Sequence, residues 1–509
     1  MKKTVFLTGG TGVMGMQTIL KCIENPDEIH LQCLVRDSEV NRKKMAQFEG
    51  KVEVIWGDLQ DWDLLTSCMK GVDFVLHVGA LISPMADDRP EETFRTNYGS
   101  TLAMLRGIHK FGQQDTTRFV YIGTVEETGD RMPPIHWGRI GDPLKPSIYA
   151  YYGMSKCASE RAVAESGLKY WVSIRQCYMN PSPISNGNYP IVSHIPYNCA
   201  AEHIDAESSG NLMRNLVLNA PEELWRKAYN LGGGESFRTT NYLYGLTGRG
   251  SDLRDAYEPN WLPFFNFHGQ WYLDSDKLEA LVPYRLHTGK ENQEIEVAYQ
   301  AKEVQALMER MQAAAAKDPN FKPPAKETPK ERTRRIASLP GGTLDVIARD
   351  DEEGFRVWWG SKKNWEAIPK DWKDIVISVP CDAPGKYPID HGFDESKPVS
   401  ELDIEDMRKA AEFRGGACLS ETMEKGDLFT PLKWRCAFGH EFMATPNLVL
   451  FLGHWCPECM AGEWKYGEIA EVNPFFAQVW TPLHRDEENF RVKMSYDYKA
   501  IDELFKESQ

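Results

Sequence analysis

Residues 1–300 are expected to form an α/β fold, a doubly wound parallel sheet. A C-terminal metal-binding module is expected to follow at 405–509. Three observations carry this. Short apolar runs alternate with amphipathic stretches through the first 300 residues, as strands alternate with crossover helices. A glycine-rich turn, Thr8-Gly9-Gly10-Thr11-Gly12-Val13-Met14-Gly15, closes the first apolar run. Near the C-terminus, Cys436 and His440 precede Cys456-Pro457-Glu458-Cys459 by 15 residues.

Lys3–Leu7 reads as a buried strand, and the helix after Gly15 carries Ile19, Leu20 and Ile23 at helical spacing. Ile29–Val35, Val52–Trp56, Phe74–Val78, Phe119–Ile122 and Trp171–Arg175 read as the next five strands. Helices are expected from about Glu91 to Phe111 and around Tyr152. Right-handed crossovers in such a sheet place a ligand at the strands' carboxyl ends. Glycines 9, 12 and 15 then turn the chain, admit a pyrophosphate and pack helix on strand. The helix N-terminus presents free N–H donors and a positive dipole end to the phosphates.

Tyr152 and Lys156 stand four residues apart in Tyr-Gly-Met-Ser-Lys, so a helix would put both on one face. The ammonium's field should favour phenolate and lower the tyrosine's pKa, allowing proton exchange near neutrality. Alone, this spacing describes an ordinary surface pair. Downstream of a nucleotide-type turn it describes an acid/base.

Together these residues resemble the extended short-chain dehydrogenase/reductase family, the NAD(P)-dependent epimerases and dehydratases built on a Rossmann-type sheet. T-G-G-T-G-x-x-G and Y-G-x-S-K stand in the family's places. The resemblance implies a dinucleotide held by Gly9, Gly12, Val13, Met14 and Gly15, with Asp58 and Leu59 at the adenine. It places Val78, Gly79 and Ala80 after the fourth strand and Asn180 in the loop over the nicotinamide. It makes Tyr152 the proton donor/acceptor, Lys156 its partner on the ribose, Thr124 the group on the substrate oxygen and Asn97 the holder of a relay water.

Arg36 occupies the end of the second strand, where a carboxylate would bind the ribose hydroxyls of NAD. A guanidinium suits a 2′-phosphate, so NADP(H) is preferred. Asp37 keeps NAD(H) open, and stacking on adenine is the alternative use of Arg36.

Nucleotide-sugar 4,6-dehydratases of the family carry Thr-Asp-Glu where this chain has Thr124-Val125-Glu126, so the acid that protonates the departing hydroxyl is missing. Thr124-Val125-Glu126-Glu127-Thr128-Gly129 is closer to 3β-hydroxysteroid dehydrogenases, and Val35-Arg36-Asp37 to dihydroflavonol-type reductases. The resemblance therefore implies an oxidoreductase interconverting a secondary alcohol and a ketone on a small, apolar or steroid-like substrate. A nucleotide-sugar epimerase is the alternative. From a different class comes an idle scaffold of the same fold that binds nucleic acid or protein. The resemblance also implies a small substrate-binding part, mainly residues 187–285, in which Trp261, Phe264, Phe265, Phe267, Trp271 and Tyr272 serve either as core or as pocket wall. Asp205 reads as an exposed structural carboxylate, with contact to a substrate hydroxyl as the other use.

Residues 301–338 read as a charged helical linker through Met308, Met311 and Lys322-Pro323-Pro324. Residues 339–400, with Trp358, Trp359, Trp365 and Trp372, read as a small β-rich module. Cys436, His440, Cys456 and Cys459 have the spacing of a tetrahedral zinc site in a treble clef or ribbon. The set is closed, so the metal would be structural. Cys418 is the reserve ligand and His454 a weaker one. Oligomer contact or a lid over the site are the roles expected of this module. A chain ending near residue 300 should keep the dinucleotide site.

The formal charge of −15 disfavours nonspecific binding to nucleic acid or acidic membranes. No apolar run reaches membrane-spanning length, and Met1-Lys2-Lys3 leads into Val5-Phe6-Leu7 without a signal-type cleavage site. The expected setting is the cytoplasm, with a small-molecule substrate, no membrane, and a homo-oligomer left open.

Overall fold

Seven parallel strands form the central sheet of the computed structural model, which describes residues 2–181, 189–240, 252–318, 327–376, 386–484 and 488–507. They are β1 (Lys3–Thr8), β2 (Ile29–Val35), β3 (Glu53–Trp56), β4 (Phe74–His77), β5 (Arg118–Thr124), β6 (Tyr170–Gln176) and β7 (Lys227–Leu231). Their order is β7-β6-β5-β4-β1-β2-β3. The six expected strands form within a few residues of their expected bounds. The seventh, β7, is an addition: Tyr229-Asn230-Leu231 pairs with Ile174-Arg175-Gln176 of β6. Strand order reverses between β1 and β4, and the crevice of a doubly wound sheet opens at such a switch.

Alternation along each strand divides the core in two. Val5 and Leu7 of β1 point to the face covered by α1 (Val13–Cys22) and by the helix Ala206–Asn219. Phe6 points to the other face, with Phe119 and Tyr121 of β5. There α2 (Ser100–Lys110), reached through a π-helical segment Phe94–Gly99, and α3 (Tyr151–Ala164) cover the sheet. Gly187 and Lys322-Pro323-Pro324 lie outside the described residues.

The second face does not end at its helices. Phe94, Tyr98, Tyr151 and Met154 share one hydrophobic cluster with Trp359, Trp434, Trp464 and Trp480 of the tail. Polar contacts accompany it: Tyr98 Oη donates to Asp502 at 2.6 Å, and Tyr466 Oη donates to the Pro146 carbonyl at 2.7 Å. The C-terminal residues therefore pack on α2 and α3.

Residues 339–400 are helical, not β-rich: Thr343–Arg349, Glu352–Trp359 and Lys362–Glu366 form helices, with no strand among their described residues. The cause is local capping. Asp351 accepts the Gly354 N–H and opens the second helix, and Gly360 closes it with φ +78°. Three of its tryptophans are latches. The indole N–H groups of Trp359, Trp365 and Trp372 donate to the carbonyls of Leu262, Asn260 and Tyr257 at 2.8–3.0 Å. The linker helix α4 (Gly289–Lys317) begins at a Thr288/Glu291 capping box, and α5 (Pro329–Ala337) follows. No helix among the described residues is long and apolar enough to cross a membrane.

Candidate active site

The crevice at the switch point is a cleft of about 1620 Å³. Gly9, Gly12, Val13, Met14, Gly15, Arg36, Asp58, Leu59, Val78, Gly79, Ala80 and Asn180 all line it, with Thr124 and Tyr152. The loops after β1 and β4 meet backbone to backbone: a Cβ on Gly9 would lie 2.6 Å from Gly79 Cα, and Gly9 has φ +74°. The Gly79 N–H also donates to Thr8 Oγ1 at 2.9 Å. A Cβ on Gly15 would meet the Gly9 carbonyl oxygen at 2.1 Å. Gly12 is different, with nothing nearer than 3.3 Å, so the protein's own packing leaves the space over it for a ligand. The Oδ1 of Asn180 is buried without a hydrogen-bond partner. This cradle and this unsatisfied amide fit a dinucleotide.

At the second strand's end, Arg36 faces the cleft while Asp37 is held by Arg42 through two contacts of 2.6 Å. Arg42 also stacks over Trp56. The carboxylate that would favour NAD is thus engaged elsewhere, next to an arginine that lines the cleft.

Tyr152 sits one turn before Lys156 on α3, as the spacing requires. The Lys156 ammonium donates to the Ile122 carbonyl at 2.7 Å and lies 5.7 Å from the Tyr152 ring centre. Lys156 lies behind the cleft wall. Burial brings its pKa down to about 8, with Glu127 pulling it back up. The expected lowering of the Tyr152 pKa is corrected: burial and then the Glu126 carboxylate push the phenol up, and the Thr124 hydroxyl opposes them. Thr124 is fixed by its neighbours, its hydroxyl accepting from Glu126 N at 3.3 Å and its N–H donating to Glu127 Oε1 at 2.8 Å.

Asn97 lies behind the wall as well. Its carboxamide donates to Leu81 O and Ser155 Oγ, each at 2.9 Å, and accepts from Leu81 N at 2.7 Å. Its side chain clamps the loop after β4 to α3, a holding task. Asp205 is corrected too: it is buried and caps the helix Ala206–Asn219, accepting from Ser208 N at 2.7 Å. Of the aromatic run only Phe267 reaches the cleft; Trp261, Phe265, Trp271 and Tyr272 are core.

Two groups beside Tyr152, Asp87 and His268, escaped sequence reasoning, and a third, Glu126, was read only as part of its motif. Glu126 lines the cleft, with His268 Nε2 3.5 Å from its Oε1. Asp87 accepts the Tyr152 N–H at 3.2 Å. Burial raises both carboxyls, Asp87 to about 6 and Glu126 well above the usual range. Glu126 follows Thr124-Val125 and was legible as a neighbour, whereas Asp87 and His268 arrive from distant segments. The outer cleft is walled by Ile191, Val192, Ile195, Leu253 and Phe267, and by tail residues Lys290, Val297, Arg332 and Ile336 of α4 and α5. The linker is thus part of the site.

In the tail, the hairpin Leu432–Arg435/Glu441–Ala444 and the Cys456–Cys459 turn bring four ligand atoms within 4.8 Å of one another. His440 Nδ1 is 3.4, 3.6 and 3.5 Å from the sulfurs of Cys436, Cys456 and Cys459, and the Cys436 and Cys459 sulfurs are 3.7 Å apart. A tetrahedron with Zn–S of about 2.3 Å and Zn–N of about 2.0 Å has edges of about 3.5–3.8 Å, so the set fits zinc. Cys418 pairs with Trp434 across the sheet, and neither it nor His454 is in the cluster. His454 instead meets Glu160 at 3.0 Å, which removes it as a reserve ligand.

The fold is a doubly wound α/β sheet whose cleft brings the glycine turn, Thr124 and Tyr152 together. Residues 5–211 match the NAD dependent epimerase/dehydratase family. Among characterised proteins, the chain is 30% identical over 100 residues to a UDP-glucose 4-epimerase of Rickettsia bellii, 19% of this chain. It is 32% identical over 99 residues to a UDP-N-acetylglucosamine 4,6-dehydratase (inverting) of Campylobacter jejuni, again 19% of this chain. Each match spans only 29% of the relative's length. A solved dTDP-glucose 4,6-dehydratase of Streptomyces venezuelae with NAD bound superposes with a TM-score of 0.47 at 18% identity, covering 60% of this chain and 98% of that one.

Proposed function

We propose that this protein catalyses NAD(P)(H)-dependent interconversion of a secondary alcohol and a ketone on a sugar carried by a nucleoside diphosphate. The observation that carries the chemistry is that Thr124 and Tyr152 line the same cleft as the glycine turn. A nicotinamide held at the glycine turn would supply or take up the hydride; the Tyr152 phenol, kept protonated by burial, gives its proton to the ketone oxygen in reduction, and oxidation of the alcohol returns that proton to the phenolate. Thr124 orients the oxygen, and Lys156 steadies the site from behind. The sugar-nucleotide class rests on the relatives, a 4-epimerase and a 4,6-dehydratase of such substrates. Val125 supplies no acid for eliminating water, which favours epimerisation or simple oxidation over dehydration.

Arg36 facing the cleft, with Asp37 bound to Arg42, supports NADP(H) as the cofactor. Cys436, His440, Cys456 and Cys459 would hold a structural zinc ion.

A second reading keeps the chemistry and changes the substrate. Ile191, Val192, Ile195, Leu253, Phe267 and Ile336 make much of the outer wall apolar, which favours a flat apolar alcohol. Incubation with NAD⁺ or NADP⁺ and UDP-glucose, dTDP-glucose or a 3β-hydroxysteroid separates the two. Nicotinamide absorbance and chromatography of the sugar nucleotide are followed together. Turnover of the steroid alone would replace the first reading by the second, and no turnover of any would remove both.

A further inference from the structure

The segment Leu452–Trp455 runs directly into Cys456 and is docked on the sheet and on α3 at three points. Arg175 Nη2 donates to the Leu452 carbonyl at 2.8 Å, and His454 Nε2 lies 3.0 Å from Glu160 Oε1. Arg161 Nη1 donates to the Trp455 carbonyl at 2.9 Å. Arg175 and Glu160 are wholly buried and joined at 2.5 and 3.1 Å, and Ser173 Oγ donates to Glu160 Oε2 at 2.5 Å. On its other side the Arg175 guanidinium lies 3.3 Å from Glu127 Oε2. Glu127 Oε1 in turn accepts the N–H of Thr124. Gly123 makes room for that carboxyl, since a Cβ there would lie 2.3 Å from Glu127 Oε1.

Four side chains therefore link the metal-binding turn to the backbone of a cleft residue: His454, Glu160, Arg175 and Glu127. Buried charged groups have no water to replace a lost partner, so each holds the next in place. The Arg175 guanidinium is hydrogen-bonded to Glu160 and the Leu452 carbonyl and lies against Glu127 without a hydrogen bond, so withdrawing the segment would leave it free to turn from Glu127 toward Glu160. The sheet and α3 alone do not provide the Leu452 and His454 contacts. They come from the segment that leads into Cys456, one of the four clustered ligands.

We propose that the metal-loaded Cys436/His440/Cys456/Cys459 centre acts as a remote positioning element for the active site, holding residues 452–455 so that Glu160, Arg175 and Glu127 fix Thr124. His454 and Arg175 are positioning residues in this scheme and touch no substrate. The inference rests on Thr124 belonging to the site, and its test does not depend on turnover, so a wrong substrate class leaves the test intact.

The test uses the full-length, zinc-loaded protein and amide hydrogen exchange read by mass spectrometry. In His454→Leu, exchange across residues 122–128 should rise at least tenfold, while peptides from β1 and β2, the zinc content and NADPH affinity stay within twofold of wild type. His454→Gln, which restores a side-chain donor, should bring the exchange back. Wild-type exchange at 122–128 in folded His454→Leu would overturn the proposal, and so would failure of His454→Gln to restore it. Should His454→Leu not fold, Glu160→Gln is read in the same way, with unchanged exchange at 122–128 again overturning the proposal. A third arm removes zinc from wild type with a chelator below the unfolding threshold. Faster exchange confined to 122–128 and the tail supports the metal's part in it, and exchange confined to the tail alone overturns that part.

Discussion

The Lys156 ammonium donates to the Ile122 carbonyl, and Tyr152, one helical turn earlier, has its ring centre 5.7 Å from that ammonium. The two side chains share a helix face without a hydrogen bond. Lys156 thus fastens α3 to the end of β5, where Ile122, Gly123 and Thr124 form the cleft edge, and Tyr152 is left facing the cleft.

Tyr152→Phe removes the proton and leaves the ring that packs in the wall. Turnover should fall roughly 10²–10⁴-fold, the usual contribution of a positioned acid/base, with dinucleotide affinity unchanged. Steady-state rates and a fluorescence titration with NADPH check it. Turnover within tenfold of wild type would remove Tyr152 from the chemistry.

Lys156 makes stability depend on pH. The unfolded chain holds this proton up to about pH 10.5 and the fold releases it near 8. Between these values the unfolded state binds more protons, so this group's contribution to stability rises with pH, by on the order of 3 kcal/mol in full. Urea unfolding of wild type and Lys156→Met from pH 7.5 to 10.5 measures the difference. A difference that is flat or falls with pH contradicts the buried, pKa-lowered lysine.

Arg36→Ala tests cofactor choice. Losing a charged contact to a 2′-phosphate should cost about 1.5–3 kcal/mol, or roughly ten- to a hundredfold in NADP(H) affinity. NADH affinity should barely change. Titration of both cofactors into both proteins decides, and a wild type that prefers NADH refutes the assignment.

Elemental analysis should find about one zinc per chain, as expected of a closed four-ligand site. Cys456→Ser should release it and open the tail to protease. Native protein free of metal would dismiss the site.

Ending the chain near residue 300 would strip Trp434, Trp464 and Trp480 from the cluster that includes Phe94, Tyr98 and Tyr151. Glu160 and Arg175 would lose His454 and Leu452. The shortened chain is therefore expected to be insoluble or to lack a cooperative thermal transition, which replaces the sequence-based expectation that it keeps its dinucleotide site. A soluble shortened chain that melts cooperatively and binds NADPH would restore that expectation.

Six strands, the glycine turn, the Tyr152–Lys156 spacing and the Cys/His set were legible because each depends on short-range facts. Short apolar runs, positive φ, helical pitch and ligand spacing are written over a few neighbouring residues. Misreadings came where partners are distant. Tryptophans at 358, 359, 365 and 372 suggested strands, but the Asp351 and Gly360 caps put the first two on a helix, and carbonyls at 257–262 hold the indoles of Trp359, Trp365 and Trp372. Asn97 lies at its expected place in the chain, where Leu81 and Ser155 occupy its amide.

By itself, then, the sequence determined the sheet, the cradle for a dinucleotide and four ligands with zinc spacing, since chain-local geometry dictates each. Only the tertiary structure decided that the tail shares the core's hydrophobic cluster, that α4 and α5 wall the cleft and that burial raises the Tyr152 phenol. Those outcomes depend on which surfaces meet and which charges lose water, and contacts such as His454 with Glu160 join residues 294 positions apart.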